Sequence, residues 1–305
     1  MLIFRQGREL VVHAPAKLNL FLQVLKKRPD GFHDIESVMT TVGLYDSLTF
    51  SQTFDQQINL EVVDLRAALE AGHCKQTDDE IPTGPGNLVV QAASLLKEYS
   101  GVDFGVNILL HKRIPSAAGL AGGSSDAAAT LLALNQLWKL QLSIDELHSL
   151  AAQLGSDIGF FLDQHGAAVC RGRGEQVDSL ILPRSLHFVI AKPSSGLSTA
   201  TVYKNCKVSK TTQMAAPLIQ ALQSGNLSAA GRHFYNSLQH PAEQLNEDVL
   251  RLKTIFESQS CYGHLMSGSG TSYFGICANR QHARSVAARV RQLSRARVYT
   301  VQARC

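Results

Sequence analysis

The residues best suited to chemistry lie in one short run, Lys112 to Leu134 (KRIPSAAGLAGGSSDAAATLLAL). An apolar alternating segment, Phe104 to Leu110, reads as a strand leading into it. The run then passes through Gly119, Gly122, Gly123, Ser124 and Ser125 and opens onto a strongly apolar helix expected from about Ser125 to Leu140. Successive backbone amides at such a turn, backed by a helix dipole, can hold an anion. Glycines let the backbone approach phosphate oxygens, and the two serine hydroxyls can donate further bonds or reach a metal. A Gly-rich connection packed under small alanines fits the same letters, so composition leaves both readings open.

Three other places carry reactive side chains. In Pro15-Ala16-Lys17-Leu18-Asn19-Leu20, Lys17 and Asn19 share one face of a strand. A solvated lysine would satisfy that pattern. So would a semi-buried one that lowers the pKa of a neighbouring acid and holds a substrate hydroxyl. The acid to consider is Asp157, in Leu154-Gly155-Ser156-Asp157-Ile158, where a helix cap is the plainer alternative. Met266-Ser267-Gly268-Ser269-Gly270-Thr271-Ser272 precedes a strand and reads either as a plain turn or as a second loop closing over phosphate.

Familiar phosphate motifs are absent from the sequence. No G-x-x-x-x-G-K-[ST] occurs, and no G-x-G-x-x-G opens a helix after a strand. Asp103-Phe104-Gly105 lacks the catalytic H-R-D and glycine-rich lid that would give it meaning.

The surrounding elements are expected to be mixed. Glu9 to Leu25 is strand-like with a break at Pro15, and Lys26 to His33 is a turn carrying Pro29, Asp30 and Gly31. Val38 to Asn59 reads as strands, Thr77 to Asn87 as a loop, and Leu88 to Tyr99 as an amphipathic helix. Ser143 and Glu146 form a capping box for a helix ending near Gly155. Ala167 to Ile190 is strand-rich around a Gly172-Arg173-Gly174 turn. Beyond it come helices near 214–223, 247–259 and 282–293, and strands at 273–277 and 297–303. The two blocks point to an α+β, two-domain protein divided somewhere between Leu162 and Ala191.

Composition sets the outer bounds. The chain has 305 residues, 45% of them hydrophobic, enough to bury a core without disulfides or a structural metal. Six scattered cysteines with no C-x-x-C pair read as reduced thiols. The N-terminal apolar run is too short for a signal peptide, and no stretch reaches the ~18 apolar residues of a membrane span. A cytoplasmic protein without membrane partners is expected. Net charge is +4, and the seven arginines from Arg280 to Arg304 are interspersed with apolar residues, so nucleic acid is not an expected partner.

Taken in order, P-A-K-L-N-L, P-x-x-x-G-L-x-G-G-S-S-D and S-G-S-G-T resemble the three motifs of the GHMP kinases. R-P-D-G-F-H at Arg28 to His33 and L-G-S-D at Leu154 to Asp157 resemble the subgroup that phosphorylates 4-diphosphocytidyl-2-C-methyl-D-erythritol. The resemblance implies the two-domain GHMP kinase fold, with a ribosomal protein S5 domain 2-like N-terminal domain at residues 1–165. A ferredoxin-like C-terminal domain would occupy residues 166–305 and contribute to the substrate site. It also implies ATP and Mg²⁺, with no residue assigned as a metal ligand, and a monomer or homodimer.

Carried over by position, Asp157 would be the general base for the substrate's 2-hydroxyl and Lys17 would hold it ionised and oriented. Pro115, Ser116, Ala117, Ala118, Gly119, Leu120, Ala121, Gly122, Gly123, Ser124 and Ser125 would wrap the ATP phosphates, with Asn87 and Lys112 near the adenine. Asn19, Phe32, His33, Thr199 and Tyr203 would hold the cytidine diphosphate moiety. Phe32 stands where the subgroup often has Tyr, and Ala117, Ala118 and Ala121 stand where some relatives have glycine. Other small-alcohol kinases of the family, acting on homoserine or mevalonate, have no use for a pyrimidine-facing His33. A catalytically dead relative would be free to lose Lys17 or Asp157.

Overall fold

The computed structural model describes residues 1–66, 80–209 and 211–303. In chain order it opens with β1 (Leu2–Gln6), β2 (Glu9–Lys27), β3 (His33–Thr53) and β4 (Ile58–Asp64). Then come α1 (Leu88–Ser100), β5 (Gly105–Lys112), α2 (Gly122–Leu137), α3 (Ile144–Leu154) and α4 (Ile158–Leu162). The next stretch is β6 (Ala167–Gly172), β7 (Gln176–Ser179), β8 (Leu186–Lys192), α5 (Thr199–Asn205), α6 (Ala216–Gln223) and α7 (Leu227–Arg232). The chain finishes with β9 (Tyr235–Asn236), α8 (Gln239–Leu245), α9 (Glu247–Glu257), β10 (Gly263–Met266), β11 (Tyr273–Cys277), α10 (Arg280–Leu293) and β12 (Arg297–Ala303).

Two compact units are built from discontinuous stretches. The first takes residues 1–16, 44–115 and 121–164, and the second takes 17–43, 116–120 and 165–305. Strands β2 and β3 therefore contribute residues to both.

In the first unit β1 pairs antiparallel with the start of β2, the end of β3 pairs antiparallel with β5, and β4 runs parallel to β5. Helices α1 to α4 pack on one another. Helix α2 is the innermost: eleven of its residues are buried, including Ser125, Asp126 and Thr130, so it shows no polar face. Helix α1 buries Val89, Ala92, Ala93 and Leu96. Tyr99, expected on that face, is exposed, and its hydroxyl donates to Glu146 Oε1 at 3.0 Å. The Ser143–Glu146 capping box is present.

In the second unit β8, β10, β11 and β12 form an antiparallel sheet in the order β10-β11-β8-β12, and α10 packs against it. Val189 and Ala191 of β8, Tyr273 of β11 and Val286 and Val290 of α10 share its core with Leu22, Val24 and Ile35 from far earlier in the chain. Strand β6 pairs with the first part of β3, and β9 runs parallel to Phe21–Leu22 of β2.

Two local expectations are corrected. Strand β2 continues through Pro15 without a break. Its ladder with β1 ends at His13, so that neighbour requires no amide hydrogen at Pro15, and the fixed proline φ suits an extended chain. Helix α2 also begins at Gly122, one turn earlier than the apolar pattern indicated, because Ala121 adopts a left-handed backbone (φ 53°) that turns the chain into the helix. The Thr77–Asn87 loop is described only from Glu80 onward, and Cys74 and Cys305 lie outside the described residues.

Candidate functional site

In the second unit, β2 turns Lys17 and Asn19 to the same side, and each is only 3% exposed. The solvated reading of Lys17 is thereby removed. Its ammonium donates to Asn19 Oδ1, while Asn19 Nδ2 donates to Ser37 Oγ at 2.8 Å and Ser37 Oγ donates to the Phe21 carbonyl at 2.7 Å. Every partner is buried, so the chain of bonds fixes the lysine head with little rotamer freedom left to lose on binding.

The glycine segment 116–120 and the loop 267–272 meet this strand. The Lys17 amide donates to the Leu120 carbonyl at 3.0 Å, and Ser267 Oγ donates to the Gly119 carbonyl at 2.9 Å. The Asn19 amide donates to Ser267 Oγ at 3.3 Å, and the Ser272 amide to the Ala118 carbonyl at 3.2 Å. The loop itself is held by Asn236, whose Nδ2 donates to the Met266 and Gly268 carbonyls at 2.8 Å each. Thr199 Oγ1 lies 2.8 Å from Ser269 Oγ. Lys17, Asn19 and Gly119 are thus joined through one network, and Thr199 meets the same loop at Ser269.

At the start of β3 the His33 ring lies 5.2 Å from the Tyr203 ring, at an interplanar angle of 31°. Burial, and secondarily the charge of Lys27, holds the His33 imidazole below its ordinary pKa, so it is neutral at physiological pH. A neutral imidazole offers one donor and one acceptor, which a base edge can use. Phe32 is 51% exposed, with the Arg173 guanidinium 5.0 Å from its ring centroid. An exposed ring of this kind is available for stacking.

In the first unit, Lys112 ends β5 and is buried between two carboxyls. Its ammonium lies 2.5 Å from Asp46 Oδ2 and 2.6 Å from Asp126 Oδ2. Asp46 Oδ1 also accepts the amides of Arg113 and Ile114, at 2.5 and 2.8 Å. Burial, only partly offset by Lys112, pushes Asp126 up to about 8, while the two carboxyls outweigh burial and raise Lys112. A Cβ on Gly122 would lie 3.0 Å from the Lys112 ammonium, so the first turn of α2 rests directly on this cluster.

That first turn carries no side-chain cap and no acid. Gly123 is exposed, and Ser125 Oγ is buried with no hydrogen-bond partner among the described residues. An uncapped helix start with an orphaned inward hydroxyl is what an anion site requires before its ligand arrives. Asn87 has a structural task at the head of α1: its Oδ1 accepts the Val89 amide at 2.9 Å and its Nδ2 donates to the Pro82 carbonyl at 2.7 Å. Asp157 immediately precedes α4, yet its side chain makes no capping bond there, which removes the plainer reading of that residue.

Sequence reasoning missed Asp46, Ser37 and Asn236. Asp46 lies 66 residues from Lys112, and no local pattern marks it. Asn236 sits in an ordinary Phe-Tyr-Asn-Ser-Leu stretch, and only the carbonyls it bridges reveal its task.

Comparison with known proteins supplies the family. The model for the GHMP kinases N terminal domain matches residues 87–170, and that for the GHMP kinases C terminal matches residues 218–295. A 4-diphosphocytidyl-2-C-methyl-D-erythritol kinase of Shouchella clausii is 41% identical over 266 residues, covering 87% of this chain and 84% of its own. One from Bacillus cytotoxicus is 40% identical over 273 residues, covering 88% of each chain. A crystal structure of 4-(cytidine 5'-diphospho)-2C-methyl-D-erythritol kinase superposes with TM-score 0.76 at 33% identity, covering 95% of this chain and 98% of that one. A homoserine kinase from Cytophaga hutchinsonii shares the fold at TM-score 0.72 and 16% identity, over 100% of this chain and 97% of its own. With both family domains matched and relatives alike over most of their length, the chain belongs to the GHMP kinases, ATP-using small-molecule kinases, within the 4-diphosphocytidyl-2-C-methyl-D-erythritol kinase branch.

Proposed function

We propose that the protein transfers the γ-phosphoryl group of ATP to the 2-hydroxyl of 4-diphosphocytidyl-2-C-methyl-D-erythritol, a step in the non-mevalonate route to isoprenoid precursors. The observation that carries this reading is the identity of 41% and 40% with two kinases of that name over 84% and 88% of their length.

In this reading Asp157 takes the proton from the attacking hydroxyl, and Lys17 keeps that carboxylate ionised and oriented. Phosphoryl transfer demands little covalent work of the protein; it demands placement of the two oxygens in line and neutralisation of spreading charge. The immobilised Lys17 ammonium suits that demand, because a charge already fixed by Asn19 pays no reorganisation when the transition state forms. Residues Pro115 to Ser125 hold the ATP phosphates through free amides at the start of α2 and the hydroxyls of Ser124 and Ser125. Asn87 and Lys112 frame the adenine side, Lys112 through the cluster it makes with Asp46 and Asp126. Asn19, Phe32, His33, Thr199 and Tyr203 receive the cytidine diphosphate moiety. By function, ATP binding is assigned to residues 1–165 and a contribution to the substrate site to 166–305, a division that cuts across the two compact units.

Mg²⁺ fits the donor set. The orphaned Ser125 hydroxyl and the neighbouring Ser124 supply neutral oxygens, and no group of three acidic, His or Cys ligands occurs among the described residues. Such a site would hold the ion chiefly through nucleotide oxygens, with Ser124 and Ser125 the nearest protein groups. When bound, the ion neutralises charge on the β- and γ-phosphates.

Asp157→Asn tests the assignment in a coupled ADP-release assay with parallel nucleotide-binding titration. Turnover should fall at least ~10²-fold, as loss of a general base does, while ATP affinity stays within about twofold. Near-wild-type turnover would remove Asp157 from the role.

A further inference from the structure

A pair of thiols stands outside the machinery described above. Cys261 lies just before β10 and Cys277 ends β11. They flank the outermost bond of that hairpin, donated by the Tyr262 amide to the Ile276 carbonyl at 3.0 Å. Gly275 has no side chain, and the Cys261 sulfur occupies the room this leaves: a Cβ there would lie 2.5 Å from Sγ. The Phe256 ring closes the same niche, 3.1 Å from that Cβ position. So seated, Cys261 packs against the same core cluster as Cys277, whose thiol donates to the Gly275 carbonyl at 4.0 Å, so both sulfurs lie beside Gly275. Cys277 is fully buried, whereas Cys261 is partly exposed.

We infer that Cys261 and Cys277 form a thiol–disulfide exchange site for low-molecular-weight disulfides of the glutathione type. The division of labour follows from access. The Cys261 thiolate attacks one sulfur of R–S–S–R, forming Cys261–S–S–R and expelling RS⁻, which takes up a proton from water. Cys277 then attacks the Cys261 sulfur, forming the Cys261–Cys277 bond, and its proton passes to the second RS⁻, which leaves as RSH. Two electrons pass from the protein dithiol to one small disulfide, which leaves as two thiols. Access favours this order, and the electrostatics agree: the neighbouring Cys277 thiol holds the Cys261 thiol below its ordinary pKa, whereas Cys261 and burial raise that of Cys277. The product would join the two strands at the open end of the hairpin whose other end bears the 267–272 loop.

The test uses the full-length enzyme in glutathione buffers of rising oxidised fraction, quenched by acid, alkylated, and read by intact mass and peptide mapping. The wild type should lose two hydrogens with a cross-link mapped to 261–277, reversed by dithiothreitol. Cys277→Ser should instead accumulate a single glutathione adduct on Cys261, and Cys261→Ser should leave Cys277 unmodified. Independent alkylation of both thiols across the whole series, or no adduct in Cys277→Ser, would overturn the inference. The wild-type measurement stands by itself should either variant fold poorly.

Discussion

Gly119 and Ala121, two residues apart, both place their backbones in the left-handed region, at φ 71° and 53°. They differ in what surrounds them. A Cβ on Gly119 would overlap the Ser267 carbonyl, whereas Ala121 already carries its methyl group. Gly119→Ala should therefore combine conformational strain with a clash and cost about 3 kcal/mol or more, read by urea unfolding, with turnover lost in step. In Ala121→Gly, relief of ~1 kcal/mol of strain is set against the greater entropy of an unfolded glycine, so stability should move by less than about 0.5 kcal/mol. The motif letters made Gly119 legible as special. They did not show that an alanine tolerates the same conformation two residues on, because a helix start can hold such a backbone when the turns either side define it.

At the scale of elements, β3, β5 and α2 are locked by the Asp46–Lys112–Asp126 cluster, and its proton gives the fold a pH signature. Asp126 is pushed up to about 8, against an ordinary value near 3.9 in the unfolded chain. Between those limits the folded protein holds a proton that the unfolded chain has released. Stability from this group is full below about pH 4 and is lost as pH rises toward 8, by at most about 1.4 kcal/mol per pH unit. Asp126→Asn keeps a neutral side chain throughout and should flatten that slope, leaving the variant relatively more stable at pH 8 than at pH 5. An unchanged slope in thermal unfolding across that range would place the proton elsewhere. The sequence marked Lys112 and the G-G-S-S-D run but not their partner. A buried ion cluster is assembled by strand pairing across 66 residues, and hydrophobic periodicity contains no term for it.

For the whole molecule, the shared fold does not select the substrate. The homoserine kinase has it at only 16% identity. In the proposed reading, selection resides in side chains such as His33, Tyr203 and Phe32, which suit a planar base. In parallel ADP-release assays the cytidine diphosphate substrate should be turned over, while homoserine and mevalonate stay at background. Turnover of homoserine alone would reassign the substrate and leave the family intact. The mixed α+β character and several element boundaries, β11 and β12 among them, were readable from periodicity and turn residues. The sharing of β2 and β3 between two units was not, because a linear pass sees each strand only once.

That sharing limits how the gene can be cut. Leu22, Val24 and Ile35 are core residues of the unit that otherwise begins at His165. A polypeptide started there would expose the apolar surface they cover and would lack the 116–120 segment as well. The two halves of the reading frame are therefore poor candidates for separate expression, split-protein reporters or recombination at that junction, although the sequence changes texture there. A tolerated breakpoint belongs between two elements of the same unit, and the turn from Ser224 to Asn226, joining α6 to α7 within the second unit, meets that condition.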